Sequence, residues 1–192
     1  CAQCARGEDN LCLKPVFPGV TVDGGWAEKL LVPHPRNLVK LDGLDPVVAA
    51  PLTDAALTPY RAVRKVQPRL GPGRTLAIIG VGGLGHMALQ ILRALAPATR
   101  VIAIDISDDD ASLGNAAASV AIGGKLVIVG TAGGPLPFSF WKMPLECEVT
   151  TSIWGNRTEL KEVLELARLG LIAPHIERQP LAAINDVIAR LH

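Results

Sequence analysis

The chain has 192 residues, with 19 Lys plus Arg against 18 Asp plus Glu and a formal net charge of +1. That balance, with no basic run, leaves no electrostatic case for a nucleic acid or an anionic membrane surface as partner. Hydrophobic residues make up 49%, too many for a disordered chain, and apolar runs are broken by Gly or a charge well before the ~18 residues of a membrane span.

No secretory pattern opens the sequence, so a cytoplasmic globular protein is expected. Glycine (19) and proline (15) exceed the average usage of about 7% and 5%, which implies many turns and close backbone approaches. Aromatic residues are only 4%, so Val, Ile, Leu and Ala must fill the core. The first residue is Cys1, and the opening residues read as the middle of a motif, so a processed, truncated or partial chain is expected.

The first segment carries three of the four cysteines as C-x2-C-x7-C: Cys1, Cys4 and Cys12. Thiolates at this spacing in a polar, glycine-containing loop can converge on one Zn²⁺, although a closed structural site needs four ligands. The other reading is a loop of reduced cytosolic thiols. Cys147 falls in an apolar, strand-like stretch and reads as a buried free thiol. Residues 15–50 read as an irregular β-rich lobe, with Ala27 to Val32 an apolar strand and Pro33, Pro35 and Asp42-Gly43 punctuating the residues beyond it.

Residues 68–105 are the most informative. Thr75 to Ile79 is a continuous apolar run, as expected of a strand buried on both faces. It enters Gly80-Val81-Gly82-Gly83-Leu84-Gly85, a G-x-G-x-x-G loop. A helix is predicted over His86 to Ala96, with Ala88, Ile91, Leu92 and Leu95 on one stripe. A second strand, Val101 to Ile104, ends at Asp105.

Each part has a physical task. Gly80 permits the tight turn, Gly82 lets the backbone approach a pyrophosphate, and Gly85 allows the helix to pack near the strand. The helix N-terminus offers free N–H groups and a positive dipole end to phosphate. Asp105 can accept hydrogen bonds from ribose hydroxyls and would repel a 2′-phosphate. Ile106 beside it brings no positive charge, so NAD is favoured over NADP.

Two later strands, Lys125 to Gly130 and Val149 to Trp154, continue the parallel-sheet pattern. Between Asp105 and Gly123 there is room for one helix, around Ser112 to Val120, where a complete doubly wound sheet needs two more βα units. The run Asp108-Asp109-Asp110 before Ala111 therefore reads as a junction, and the strand at Lys125 is expected to pair against the first. The helix predicted over Leu160 to Leu169 is amphipathic, and another comes after it over Ile184 to Leu191. Surface or supporting roles are expected for His34, His86, His175 and His192.

These pieces in this order resemble the zinc-dependent medium-chain alcohol dehydrogenases, and among them bacterial NAD-dependent secondary alcohol dehydrogenases. The resemblance rests on Cys1 to Cys12, Asp23 to Glu28, Pro51 to Tyr60, the glycine loop, Val101 to Asp105 and Ile153 to Leu160. It implies an α/β fold: a Rossmann-like parallel sheet lacking two central βα units, plus part of a β-rich, GroES-like catalytic domain. Residues 1–53 and 157–192 would belong to the catalytic domain and residues 54–156 to a reduced NAD-binding domain.

It also implies that Cys1, Cys4 and Cys12 are three of four structural zinc ligands, the fourth lying upstream. The catalytic zinc would take an upstream Cys and His together with Asp54. From the residues alone, Asp54 reads as a helix N-cap before Ala55 to Val66 and Thr58 as a helix residue. By resemblance, Thr58, Leu84, Val129, Gly130, Ile153 and Trp154 border the nicotinamide, while Gly80, Gly82, Gly83, Gly85 and Asp105 hold the rest of the cofactor.

The implied reaction is NAD-dependent interconversion of alcohols, secondary ones in particular, with ketones or aldehydes by hydride transfer, in a cytoplasmic homodimer or homotetramer. With one catalytic ligand of three, the 192 residues alone are expected to turn over little or nothing. Polyol, threonine or formaldehyde oxidation, and a non-catalytic NAD-binding remnant or partner subunit, are the alternatives.

Overall fold

The computed structural model describes residues 1–105, 111–130 and 135–190. In chain order, a short helix α1 (Ala2–Ala5) opens the cysteine loop. Helix α2 (Pro46–Pro51) comes after an extended stretch, with Asp45 as N-cap accepting from the Val47 N–H at 2.9 Å and Pro46 at the first helical position. A π turn over Leu52–Ala56 joins it to α3 (Leu57–Val66). Pro51 and Pro59 flank Asp54 and each withholds a donor from the α-helical ladder, which favours the wider turn between them.

Strand β1 (Thr75–Ile79), helix α4 (Gly83–Leu95) and strand β2 (Arg100–Ile104) form a βαβ unit. The strands pair in parallel from Thr75–Arg100 to Ile79–Ile104. Helix α5 (Ala111–Ala118) leads to β3 (Lys125–Ile128), which pairs in parallel with β4 (Glu148–Thr151). Helices α6 (Arg157–Arg168) and α7 (Ile184–Arg190) complete the chain. Asn156 and Glu159 form a capping box at the start of α6.

The core is helical. Leu52, Ala56, Leu57, Tyr60 and Val63 pack with Met87, Ile91 and Leu92 of α4, Val163 and Leu164 of α6, and Ile172. Ile91, Leu92 and Leu95 of the predicted stripe face this cluster, Leu95 only partly covered, and Ala88 is buried without joining it. On α6, Leu160, Val163, Leu164 and Ala167 do the same.

The strands depart from expectation. Leu76, Ile78 and Val101 pack against the helices, but Ala77, Ile79, Ile102 and Ile104 lie on the opposite face and are exposed. The strand read as buried on both faces is covered on one. Covering both needs helices on each side, and among the described residues the helices lie on one.

Nor does β3 pair with β1: the described strands form two separate two-stranded sheets. Each sheet is tied to the helices on its own terms, β1–β2 through α4 and β3–β4 through the end of α3. There Lys65 Nζ donates to the Thr151 carbonyl at 2.6 Å, and Arg69 donates to the Gly123 carbonyl at 2.7 Å and pairs with Glu148.

The predicted β-rich lobe over 15–50 is largely absent. Ala27 to Val32 is not a strand, and Leu30, Leu31 and Val32 are exposed. The one bridge in that stretch joins Pro18 to Val22. A strand needs a neighbour to satisfy its backbone groups, and none is present for this run among the described residues. Cys147 is half-buried and immediately precedes β4 rather than lying buried within a strand. Ile106, the Asp108–Asp110 junction and His192 lie outside the described residues.

Candidate functional site

Both sheets are parallel, and the residues singled out for the cofactor fall at the carboxyl ends of their strands, where ligands bind in open α/β sheets. The glycine loop succeeds β1, Asp105 succeeds β2, Val129 and Gly130 succeed β3, and Ile153 and Trp154 succeed β4.

The loop geometry agrees with its glycines. Gly80 adopts φ +89°, in the left-handed region that disfavours a side chain, and its N–H donates to the Ile104 carbonyl at 2.8 Å. A Cβ on Gly85 would collide with the Gly80 carbonyl oxygen and come within 2.9 Å of its carbon, so only glycine lets α4 sit this close to the turn. At Gly82 and Gly83 an added Cβ would meet nothing within 4 Å, so this edge of the loop is open. Gly82 is the N-cap of α4 and no side chain caps the helix. Its first N–H groups and dipole are left to a ligand, the arrangement that suits a diphosphate.

Asp105 is exposed, and its Oδ1 accepts from the Val81 N–H at 3.0 Å. The carboxylate thus stands beside the loop, as a ribose acceptor must. Leu84 lies in the first turn of α4. His86, read as a surface or supporting residue, has Nε2 buried without a hydrogen-bond partner, while His34 Nδ1 accepts from the Arg36 N–H at 3.0 Å and His175 is exposed.

Asp54 is not an N-cap. It lies inside the π turn, because the chain is already helical at Pro46. Its Oδ1 accepts from the Thr58 hydroxyl at 2.8 Å, so the structure brings these two candidates together. Asp54 is exposed and Thr58 is buried. Among the described residues, no other His, Cys, Asp or Glu gathers with Asp54 into a set able to chelate. One carboxylate does not hold Zn²⁺, so the residues present do not fit a catalytic zinc.

The cysteine loop does fit a metal. The Cys1, Cys4 and Cys12 sulfurs lie within 4.8 Å of one another, and Cys1 and Cys4 are 3.7 Å apart. Sulfurs about 2.3 Å from a tetrahedral zinc stand about 3.8 Å from each other. The Lys14 N–H donates to Cys12 Sγ at 3.4 Å and draws that thiol below the ordinary cysteine range. Hydrogen bonding with Cys12 pushes Cys4 the other way, so Cys12 becomes a thiolate before Cys4 does.

Several contacts at this loop have no counterpart in the sequence pattern. Glu8 accepts from Arg61 at 2.6 Å, and Arg61 also pairs with Glu159 at 2.8 Å. Burial works against the Arg61 charge, but the two carboxylates outweigh it and raise its pKa. Asn10 Nδ2 donates to the Ile153 carbonyl at 2.9 Å, and the Arg157 N–H donates to Asp9 at 3.3 Å. The Asn156-x-x-Glu159 spacing was a legible capping signal; the long-range pairs carried none. A separate apolar cleft of about 250 Å³ between residues 37–53 and α6 contains none of the loop or cysteine residues.

No family model matches the chain. It is 33% identical to an alcohol dehydrogenase of Geobacillus stearothermophilus, with all of this chain and 68% of the relative covered. It is also 33% identical to an NAD-dependent alcohol dehydrogenase of Sulfurisphaera tokodaii, covering 67% of it.

The chain belongs to the zinc-dependent medium-chain alcohol dehydrogenase family. The solved alcohol dehydrogenase of Aeropyrum pernix superposes with a TM-score of 0.80 at 30% identity, over 100% of this chain and 68% of that one. The family reaches further: a D-arabinose 1-dehydrogenase (NADP(+)) of Saccharolobus solfataricus is 28% identical. The Geobacillus alignment runs over 233 positions against 192 residues here, so that relative carries positions with no counterpart in this chain. No described helix is long and apolar enough to cross a membrane.

Proposed function

We propose that this chain is part of a cytoplasmic, NAD- and zinc-dependent oxidoreductase that interconverts alcohols, secondary ones in particular, with ketones or aldehydes. The observation that carries it is the open Gly80–Gly85 turn with the Asp105 carboxylate against its Val81 N–H at 3.0 Å. Residues 54–156 act as the cofactor domain, with residues 1–53 and 157–192 as part of a GroES-like catalytic domain. The intact parent is a homodimer or homotetramer, checked by light scattering.

In this reading the N–H groups at the start of α4 receive the diphosphate. Asp105 accepts from the ribose hydroxyls and repels a 2′-phosphate. Leu84, Val129, Gly130, Ile153 and Trp154 border the nicotinamide, which supplies a hydride acceptor when bound. Thr58 holds its proton on Asp54 at 2.8 Å, which orients both groups. Cys1, Cys4 and Cys12 hold a structural zinc.

Calorimetry with NAD and NADP tests the cofactor assignment. Binding of NAD in preference to NADP is expected, and the reverse preference refutes the role of Asp105. The second reading, an NAD-binding chain without turnover, is favoured by the isolation of Asp54 from other chelating groups. Under it, the 192 residues reduce no NAD with 2-propanol or 1-phenylethanol in the presence of zinc. Turnover at dehydrogenase-like rates would refute it.

A further inference from the structure

The segment that would be drawn taut by a metal is also the one that holds the turn after β4. Glu8, Asp9 and Asn10 lie between Cys4 and Cys12, so a metal bound by both sulfurs fixes the ends of the segment that carries them. All three reach across the fold to residues 153–159. Asn10 Nδ2 holds the Ile153 carbonyl at 2.9 Å. Asp9 accepts from the Arg157 N–H at 3.3 Å. Glu8 reaches Glu159 through Arg61, and Glu159 accepts from the Asn156 N–H at 2.8 Å. Beyond Cys12, the Phe17 ring packs on Trp154 with centroids 4.7 Å apart.

The turn held in this way needs holding. Trp154 has φ +42°, a left-handed conformation that a bulky residue adopts only when its surroundings impose it. The Oδ1 of the same Asn10 amide is buried without a hydrogen-bond partner.

We propose that Asp9 and Asn10 are positioning residues through which metal loading at Cys1, Cys4 and Cys12 sets the Ile153–Trp154 turn and so strengthens dinucleotide binding. This rests on the reading that Ile153 and Trp154 border the nicotinamide. The coupling is reciprocal: bound dinucleotide tightens the metal by the same factor as metal tightens the dinucleotide.

The test titrates the full chain with NADH, monitored by its fluorescence, in the metal-free state and after loading with Co²⁺. The cobalt–thiolate absorption reports occupancy and far-ultraviolet circular dichroism reports folding. NADH binding tighter by about fivefold or more in the loaded state is expected, the lower bound of ordinary allosteric couplings. The double variant Asp9→Ala/Asn10→Ala should load the same amount of Co²⁺ yet bring the ratio of the two dissociation constants close to one. A purely structural role would weaken binding in both states and leave the ratio alone.

Equal affinities in the wild-type chain overturn the coupling and leave the dinucleotide site standing. An unchanged ratio in the double variant overturns the route. Loss of helix on metal removal assigns the effect to folding and overturns the local mechanism. Absence of NADH binding in both metal states removes the dinucleotide reading and this inference with it.

Discussion

The helices and the strands of this chain are covered to very different degrees. Leu52, Met87, Ile91, Leu92 and Val163 are completely buried, all on the π turn or on helices. No residue of the four described strands is fully buried, and Ile79, Ile102 and Ile104 are 37%, 38% and 44% exposed. In a doubly wound fold the strands are the most enclosed element, with helices on both faces. Here α3, α4 and α6 keep their mutual packing, whereas the β1–β2 sheet lies against that helical layer on one face only, and β3 is no more than partly covered along its length. The helical core supports itself, and the sheets depend on it.

The sharpest way to break this comparison is a pair of truncations. Ile91→Ala removes a fully buried side chain between α4 and its neighbours, and a loss of about 2–5 kcal/mol in urea unfolding is expected. If Ile104→Ala, on the uncovered face of β2, costs as much, the two regions are not distinct. Next in size is Gly85→Ala. Its methyl group would fall on the Gly80 carbonyl, push α4 away from β1 and open the turn. Weakening of NADH binding by about tenfold or more, near 1.4 kcal/mol, is expected in a fluorescence titration.

Arg61→Ala leaves Glu8 and Glu159 without their shared partner. Arg61 is 11% exposed and Glu159 14%, but Glu8 is 35% exposed and regains water. The expected loss is about 1–3 kcal/mol by urea unfolding, reflecting a charged group left with too few hydrogen bonds. The smallest effect is expected for Ile104→Lys, which should stay within about 0.5 kcal/mol as a surface change does. A large loss there would mean that the outer sheet face is covered in solution.

The legibility of the molecule tracked the range of the interactions. Helix α4 was readable because Ala88, Ile91 and Leu92 repeat at helical spacing, and the glycine loop because its residue types are demanded locally by a left-handed turn and a close approach. Asp105 lay at its expected place after β2 for the same reason. The failures were long-range. Ala27 to Val32 has strand composition but no described strand beside it. The strand beginning at Lys125 was expected to pair with β1, but it pairs with β4 in a separate sheet, held to the helices by Lys65 and Arg69. Asp54 looked like an N-cap, and only the helix already begun at Pro46 placed it inside a π turn.

The sequence by itself determined the parts whose cause lies within a few residues: the βαβ unit, the open glycine turn, the acid after β2 and a thiol cluster able to take a metal. The tertiary structure decided which of those parts meet. It joined the cysteine loop to the turn after β4 through Asn10, Asp9 and the Glu8–Arg61–Glu159 bridge, and it left one face of the β1–β2 sheet bare. Local backbone preference is written into consecutive side chains, whereas an ion pair or a sheet edge exists only once distant segments have packed together.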